Sequence, residues 1–416
     1  MALLPVGPPY YLYPEDSKKA LGDIDVSRLN LNAPNTGAKY ILLMMLTSLF
    51  YVIADVAADG MVVELAMREA EAVRGQVQTS IYLTRTVFSI FSVTLVGLCM
   101  NGKSYGGSFT WTLNFNDVMW ILAASTLCVL PPTFYCLQEN KHVREKCGVR
   151  CKEMWRIIQT RAVWQIMAWK FFSGVFSSFG AAPTNIVQRE WAGVEPLNDA
   201  VFSIVGQMAF ALTLYITKHH GLQWSWRKAI GYTTIMVVVI DSIVSYLTIY
   251  DVLRNQWFWL GVPVLADFPT AIDFIVSTFV VVEITEIGYE GVTYGLLTTI
   301  SNLSNPVASS LYKTVDSFFD AFEDDVKRDD AYARNQVGWT FTIMYIMKLL
   351  SIFWLVLLPR QKAEAQQLRQ FGGSSKAAGI IAIVCTLLAM AFAVSTNLLS
   401  IFPNTACLKI AGGPGC

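Results

Sequence analysis

The chain has 416 residues, 54% of them hydrophobic and only 15% charged, where a soluble domain carries about 25% charged residues. Lys+Arg and Asp+Glu stand at 31 each, so there is neither a basic field for nucleic acid nor a solubilising acidic excess. A mean hydropathy of +0.44 points to lipid.

Residues 1–38, with GPPYYLYPED and NAPNTG, are rich in Pro, Tyr and turn formers. They read as an ordered loop, not a signal peptide. Beyond them the sequence predicts an all-α membrane protein, since a hydrocarbon core about 30 Å thick needs about 20 apolar residues per helix. About ten such stretches follow, at 40–63, 76–100, 117–137, 162–184, 199–217, 229–250, 263–282, 288–311, 337–358 and 377–402. Short polar turns between them make consecutive helices antiparallel.

Orientation follows from the Lys/Arg bias of the loops. Lys141, Arg144, Lys146, Arg150, Lys152, Arg156 and Arg161 form the strongest basic run, assigned to the cytoplasm. Alternation puts Arg68 and Arg74, then Lys218, Arg227 and Lys228, then Arg360, Lys362, Arg369 and Lys376 on the same side. Residues 1–38, the acidic loop 313–335 and the C-terminal tail fall outside, and the plasma membrane is the expected residence. The basic loop 139–161 has three helices before it and seven after. A transporter of two six-helix halves would have six before it. Three N-terminal helices are therefore expected to be missing, through a truncated gene model or an N-terminal fragment.

Cysteines suggest little chemistry. Cys99, Cys128 and Cys385 lie in apolar runs, as small hydrophobes do. Cys147 and Cys151 lack the second pair of ligands a zinc site needs. Cys407 and Cys416 flank a Gly-rich tail and could pair in an oxidising compartment. No metal or cofactor is expected.

Ionisable residues inside membrane helices are costly and mark functional sites by default. Asp55 and Asp59 lie in the first helix, Arg85 in the second, Lys170 in the fourth, Asp241 in the sixth, Asp267 and Asp273 in the seventh and Lys348 in the ninth. Asp55 and Arg85 are each about fifteen residues from the turn near Ala70, so equal rise per residue puts them at one depth. They can form a structural pair or a functional one. Asp59 is one turn from Asp55 on the same face and has no evident partner at its depth, which leaves it for substrate or proton work. Lys170 is too deep to snorkel out, so it pairs with an aspartate or meets an anionic ligand. Asp241 and Lys348 read as structural or as facing protein neighbours, Asp267 beside Pro269 as solvated, and Asp273 as deeper and more informative. EITEIGYEG reads as a short acidic cytoplasmic turn. TTISNLSNP is a polar helix face broken by Pro306 that either packs on other helices or lines a cavity.

Two stretches then resemble a known family. ADVAADGMVVELAMREAEAVRGQVQTSIYLTR and EIGYEGVTYGLLTTISNLSNPVASS, in this order around the basic loop, are similar to signatures of the folate–biopterin transporter family of the major facilitator superfamily. The resemblance implies a twelve-helix, two-half bundle in which the first helix here is the fourth, helices one to three are absent, and 377–402 is an addition after the twelfth. It places Asp55 and Asp59 on the fourth helix, Lys170 on the seventh and Asp273 on the tenth, all cavity-lining helices. It implies alternating-access transport of a folate or pterin through a lipid bilayer, with protons as a candidate coupling partner. Asp55, Asp59, Arg85, Lys170 and Asp273 are the candidate substrate-binding or coupling residues. The rivals are a receptor or scaffold and a truncated, inactive transporter. A membrane enzyme is disfavoured, because His142, His219 and His220 all fall in loops and neither a Gly-x-Ser-x-Gly elbow nor a phosphate-binding Gly-rich loop occurs.

Overall fold

The computed structural model describes residues 25–70, 73–103, 109–136, 146–286, 288–401 and 404–416, besides 3, 7, 12 and 13. Most of the N-terminal loop, and Lys141, His142 and Arg144, lie outside the described residues. The helices are α1 (Ala33–Met67), α2 (Gln76–Cys99), α3 (Phe115–Cys136), α4 (Cys147–Gln159), α5 (Arg161–Ser177), α6 (Thr184–Glu190), α7 (Pro196–His220) and α8 (Trp226–Ile249). They continue with α9 (Gln256–Gly261), α10 (Val264–Ile284), α11 (Glu290–Asp316), α12 (Glu323–Arg328), α13 (Ala331–Leu350), α14 (Lys362–Phe371) and α15 (Lys376–Ile401). No strand occurs among the described residues.

Each of the ten expected spans is helical, and among the described residues eight helices meet the length and apolarity of a membrane crossing. The exceptions are α5, with 17 residues, and α11. Both sit centrally: α11 packs on α1, α5 and α15. Helices whose neighbours are protein rather than lipid need not be lipophilic all round. Pro306 does not break α11, which runs through it. A bundle can re-satisfy the one backbone bond that proline removes. The basic loop holds the amphipathic α4, which sequence periodicity did not single out.

Three hydrophobic clusters occur among the described residues, the smallest of them around Val175, Val307, Ala308 and Ala393, and the two larger ones hold the bundle. One lies toward the face that carries Arg74 and α14, called here the basic face, and includes Val63, Tyr82, Ile166, Leu214, Phe279 and Leu297. The other, toward the opposite face, gathers Phe179, Trp191, Trp259, Val326 and Phe341. At the crossing of α1 and α11, a Cβ on Gly60 would stand 3.2 Å from the Gly291 Cα. Small residues are what let membrane helices approach this closely. The α1–α2 turn is built on Gly75, with φ +105°, and on Glu69, whose carboxylate accepts from the N–H groups of Gly75 (2.8 Å) and Val77 (3.0 Å). A carboxylate suits that position, because helix N-termini carry positive partial charge.

The opposite face is clamped by ion pairs. Arg254 donates to both oxygens of Asp329, at 2.5 and 2.8 Å. Arg334 donates to the same carboxylate at 2.9 Å and pairs with Asp251 at 3.1 Å. The Arg254 guanidinium lies 4.7 Å from the Trp191 ring centroid. The hydrogen bonds from Arg254, helped by Arg334, pull the Asp329 carboxyl down to about 2. A pKa lowered on folding contributes stability that is complete above the unfolded value, about 4, and is lost as pH falls through about 2. The thermal midpoint of the wild type should therefore exceed that of Asp329→Asn at neutral pH, and the gap should close on acidification toward that value. A gap independent of pH would rule the clamp out as the cause.

Cys407 and Cys416 form a disulfide. The knotted tail returns to the end of α11, where Thr314 donates to the Ile410 carbonyl at 3.2 Å and the Lys409 ammonium lies 4.3 Å from the Phe318 ring centroid.

Candidate functional site

A cavity of about 480 Å³ lies between α1 and α2 on one side and α5, α7, α10 and α11 on the other. Its wall is made of helical stripes. Tyr82, Arg85, Thr86 and Ser89 come from α2, Phe274, Ser277, Thr278 and Val281 from α10, and Tyr294, Thr298, Ser301 and Asn302 from α11. In each set, steps of three or four residues keep one face inward. The TTISNLSNP face thus lines the cavity through Thr298, Ser301 and Asn302, while Ser304 is buried in helix packing.

Four of the five expected site residues meet here: Asp55, Asp59, Arg85 and Lys170. Asp55 and Arg85 pair at 3.6 Å, and Arg85 also donates to the Tyr51 hydroxyl at 3.1 Å. The pair is wet, with side chains 33% and 52% exposed, so its attraction is weak and its guanidinium is reachable. Asp59 is 8% exposed. It lines the cavity together with Tyr294 of α11, whose hydroxyl lies 2.7 Å from the Tyr82 hydroxyl. That neighbour comes from far along the chain, whereas hairpin geometry reveals only neighbours in α2. Lys170 has no ion-pair partner among the described residues. Its ammonium lies 5.5 Å from the Trp169 ring centroid.

Asp273 is not part of this cavity. It precedes Phe274, the first of the α10 stripe, and one residue is about 100° around a helix of 3.6 residues per turn. It lines instead a cavity of about 210 Å³ with Lys348, Ser177, Thr233, Thr234 and Thr270. The charges of Asp273 and Lys170 still act on one another. Lys348 and Asp273 thus line the same cavity.

A third cavity, of about 400 Å³, is lined by Asp199, Asp241, Asp267 and Gln188, and shares Gln207 with the first. Asp267 therefore lines a cavity between helices, and Asp241 accepts from the Tyr345 hydroxyl at 2.9 Å. No His, Cys, Asp and Glu cluster suited to a metal occurs among the described residues.

The basic face is closed below the main cavity. Arg74, in the α1–α2 turn, pairs at 2.9 Å with Glu283 at the end of α10, and that carboxylate is 2% exposed. From α14, Gln366 donates to Glu283 at 2.9 Å, Lys362 to the Arg74 carbonyl at 2.8 Å and Arg369 to the Thr285 carbonyl at 2.8 Å. From α4, Arg156 pairs with Glu286 at 2.8 Å. A Cβ on Gly75 would come within 2.7 Å of the Phe279 ring. The acidic turn EITEIGYEG is thus part of a latch between the first two helices and the later ones. Its signal in the sequence was a pair of glutamates at a helix end facing basic loops.

Hydrocarbon-length helices around a charged, tyrosine-walled cavity make the protein a multi-pass membrane helical bundle. The model of the BT1 family, the folate–biopterin transporters, matches residues 31–372, and the chain belongs to that family. The match stops ahead of α15. No curated protein and no solved structure matches the chain.

Proposed function

We propose that the protein carries a folate- or pterin-class solute across the plasma membrane by alternating access at the cavity of Asp59. The observation that supports this reading most is the convergence of Asp55, Asp59, Arg85 and Lys170 on one cavity, at the seam that the Arg74–Glu283 latch closes on one side. Asp55 and Asp59 can accept from the amino and N–H groups of a pterin ring. Tyr82 packs edge-on to Phe274, with centroids 5.0 Å apart, and Phe210 lies 5.8 Å from Phe274. Such walls suit a flat heteroaromatic ring. Arg85 and Lys170 are the cations for the carboxylates of a glutamate tail.

In this reading the basic face is cytoplasmic. The unit of α1–α3 rocks against the unit of α5–α13, and transport requires the latch to part. A carboxyl that takes a proton on one side and releases it on the other couples cargo to a proton gradient, and Asp59 is the group assigned that task.

Uptake of radiolabelled folate and biopterin into proteoliposomes tests the proposal. Wild type accumulates both. Lys170→Met lowers folate uptake roughly 10- to 100-fold, as loss of a hydrogen bond to a charged group implies, and affects biopterin much less, because only the tail needs a cation. Saturable binding without accumulation would mean a receptor and would overturn the transport reading.

A further inference from the structure

We propose that the groove between α5 and α15 at the basic face binds one anionic phospholipid of the adjoining leaflet. The two helices run parallel, both starting at that face. Their starts are tied together by Arg161 N–H to the Gly373 carbonyl (2.9 Å) and Ser375 N–H to the Gln159 carbonyl (2.8 Å). Between them lies a cavity of about 260 Å³.

The lining repeats one pattern twice. Trp164, Met167, Ala168, Phe171 and Phe172 face it from α5, and the residues at the same spacing from Ala378 to Thr386 face it from α15. Ile300 of α11 completes the wall. The lone hydroxyl, of Thr386, already donates to the Ala382 carbonyl at 2.7 Å. The Trp164 indole N–H, buried and without a partner among the described residues, is the one other polar group of the wall, so a water-soluble molecule has little to bond to in such a groove. An empty one in hydrocarbon would forfeit dispersion contacts along its whole wall. From Trp164 to Phe172 the groove runs about 12 Å along the helix, close to the depth of one leaflet, so the occupant that fits is an acyl chain.

In this proposal the cations at the two helix starts select the headgroup. Arg161 and Lys376 are the first residues of the two helices, and both are exposed. Lys376 has no partner among the described residues, and Arg161 makes a single side-chain bond, to Gln165 at 3.3 Å. A phosphodiester with no ammonium of its own gains from both cations, and a choline headgroup gains less. The bound lipid would wedge α15 against the helix that carries Lys170.

The full chain, purified in detergent and offered equimolar phosphatidylglycerol and phosphatidylcholine, tests this by native mass spectrometry. Phosphatidylglycerol should be retained in preference by about tenfold or more, given two basic residues at the headgroup. The pair Arg161→Gln and Lys376→Gln should erase the preference, and filling the groove with Ala382→Phe, or independently with Cys385→Phe, should remove the retained lipid. Unchanged thermal midpoints establish that the variants are folded. Soluble glycerol 3-phosphate should not compete, because it lacks the chains. Equal retention of the two lipids by wild type, a preference that survives the double charge change, or displacement by glycerol 3-phosphate would each overturn the proposal.

Discussion

Asp59→Asn should leave a folded, membrane-inserted protein whose uptake falls roughly 10- to 100-fold, the loss expected when a hydrogen bond to a charged group disappears. Asparagine keeps the size of the side chain and an acceptor oxygen. The Tyr82–Tyr294 hydroxyl pair at 2.7 Å does not depend on the carboxylate. Packing around a residue that is 8% exposed is thus preserved, and the ability to ionise is what is lost. If Asp59 is the coupling group, residual uptake should also lose its dependence on external pH. Asp55→Asn is the useful contrast. Its carboxylate faces a wet, half-exposed Arg85, so cargo affinity should suffer more than the pH profile. Uptake measured across pH, normalised to the protein recovered as a monodisperse species, reads both effects. Normal, pH-dependent uptake by Asp59→Asn would remove this residue from the mechanism.

The second large effect belongs to the latch. Glu283→Ala should open the basic face and lower stability. The carboxylate is 2% exposed and is held by Arg74 and Gln366, each at 2.9 Å. Removing it leaves the partly buried Arg74 unpaired, and the Arg74 Nε already lacks a partner among the described residues. Breaking a fully buried pair costs about 3–5 kcal/mol. Because Arg74 is 22% exposed, the lower end of that range applies here. Access is the more telling readout. A cysteine at Ser277, in the cavity wall, in a background without reactive thiols, should react roughly tenfold faster with an impermeant reagent from the basic face once the latch is gone, which corresponds to about 1.4 kcal/mol in the opening equilibrium. Arg74→Gln with Glu283→Gln removes both charges, so it should recover protein level while keeping the faster labelling. Unchanged labelling in Glu283→Ala would mean that the pair does not hold the face shut.

Both variants bear on one cycle. In the proposed cycle Asp59 loads while the latch holds the basic face closed, and the latch must part for cargo to leave on that side. Glu283→Ala should therefore let cargo leak down its gradient while abolishing accumulation, and Asp59→Asn should lower both.

What was legible in the sequence is what depends on local geometry. Ten helical segments could be read because helix length and apolarity are properties of short windows. The Asp55–Arg85 pair could be read because a tight hairpin fixes the depth of both residues relative to one turn, and the pair is there at 3.6 Å. Lys170 was marked by its cost in lipid alone. The tertiary structure decided the rest, because it sets the rotation of each helix and the identity of its neighbours. Asp273, one position away from Phe274, lines a cavity with Lys348 rather than the main one. Asp59 shares a cavity wall with Tyr294 and Arg74 meets Glu283 across separations that no periodicity encodes. The same cause explains why α5 and α11 are too short or too polar for lipid and yet helical. Their surroundings are other helices, and a sequence window records what a residue is, not what it will touch once the bundle has formed.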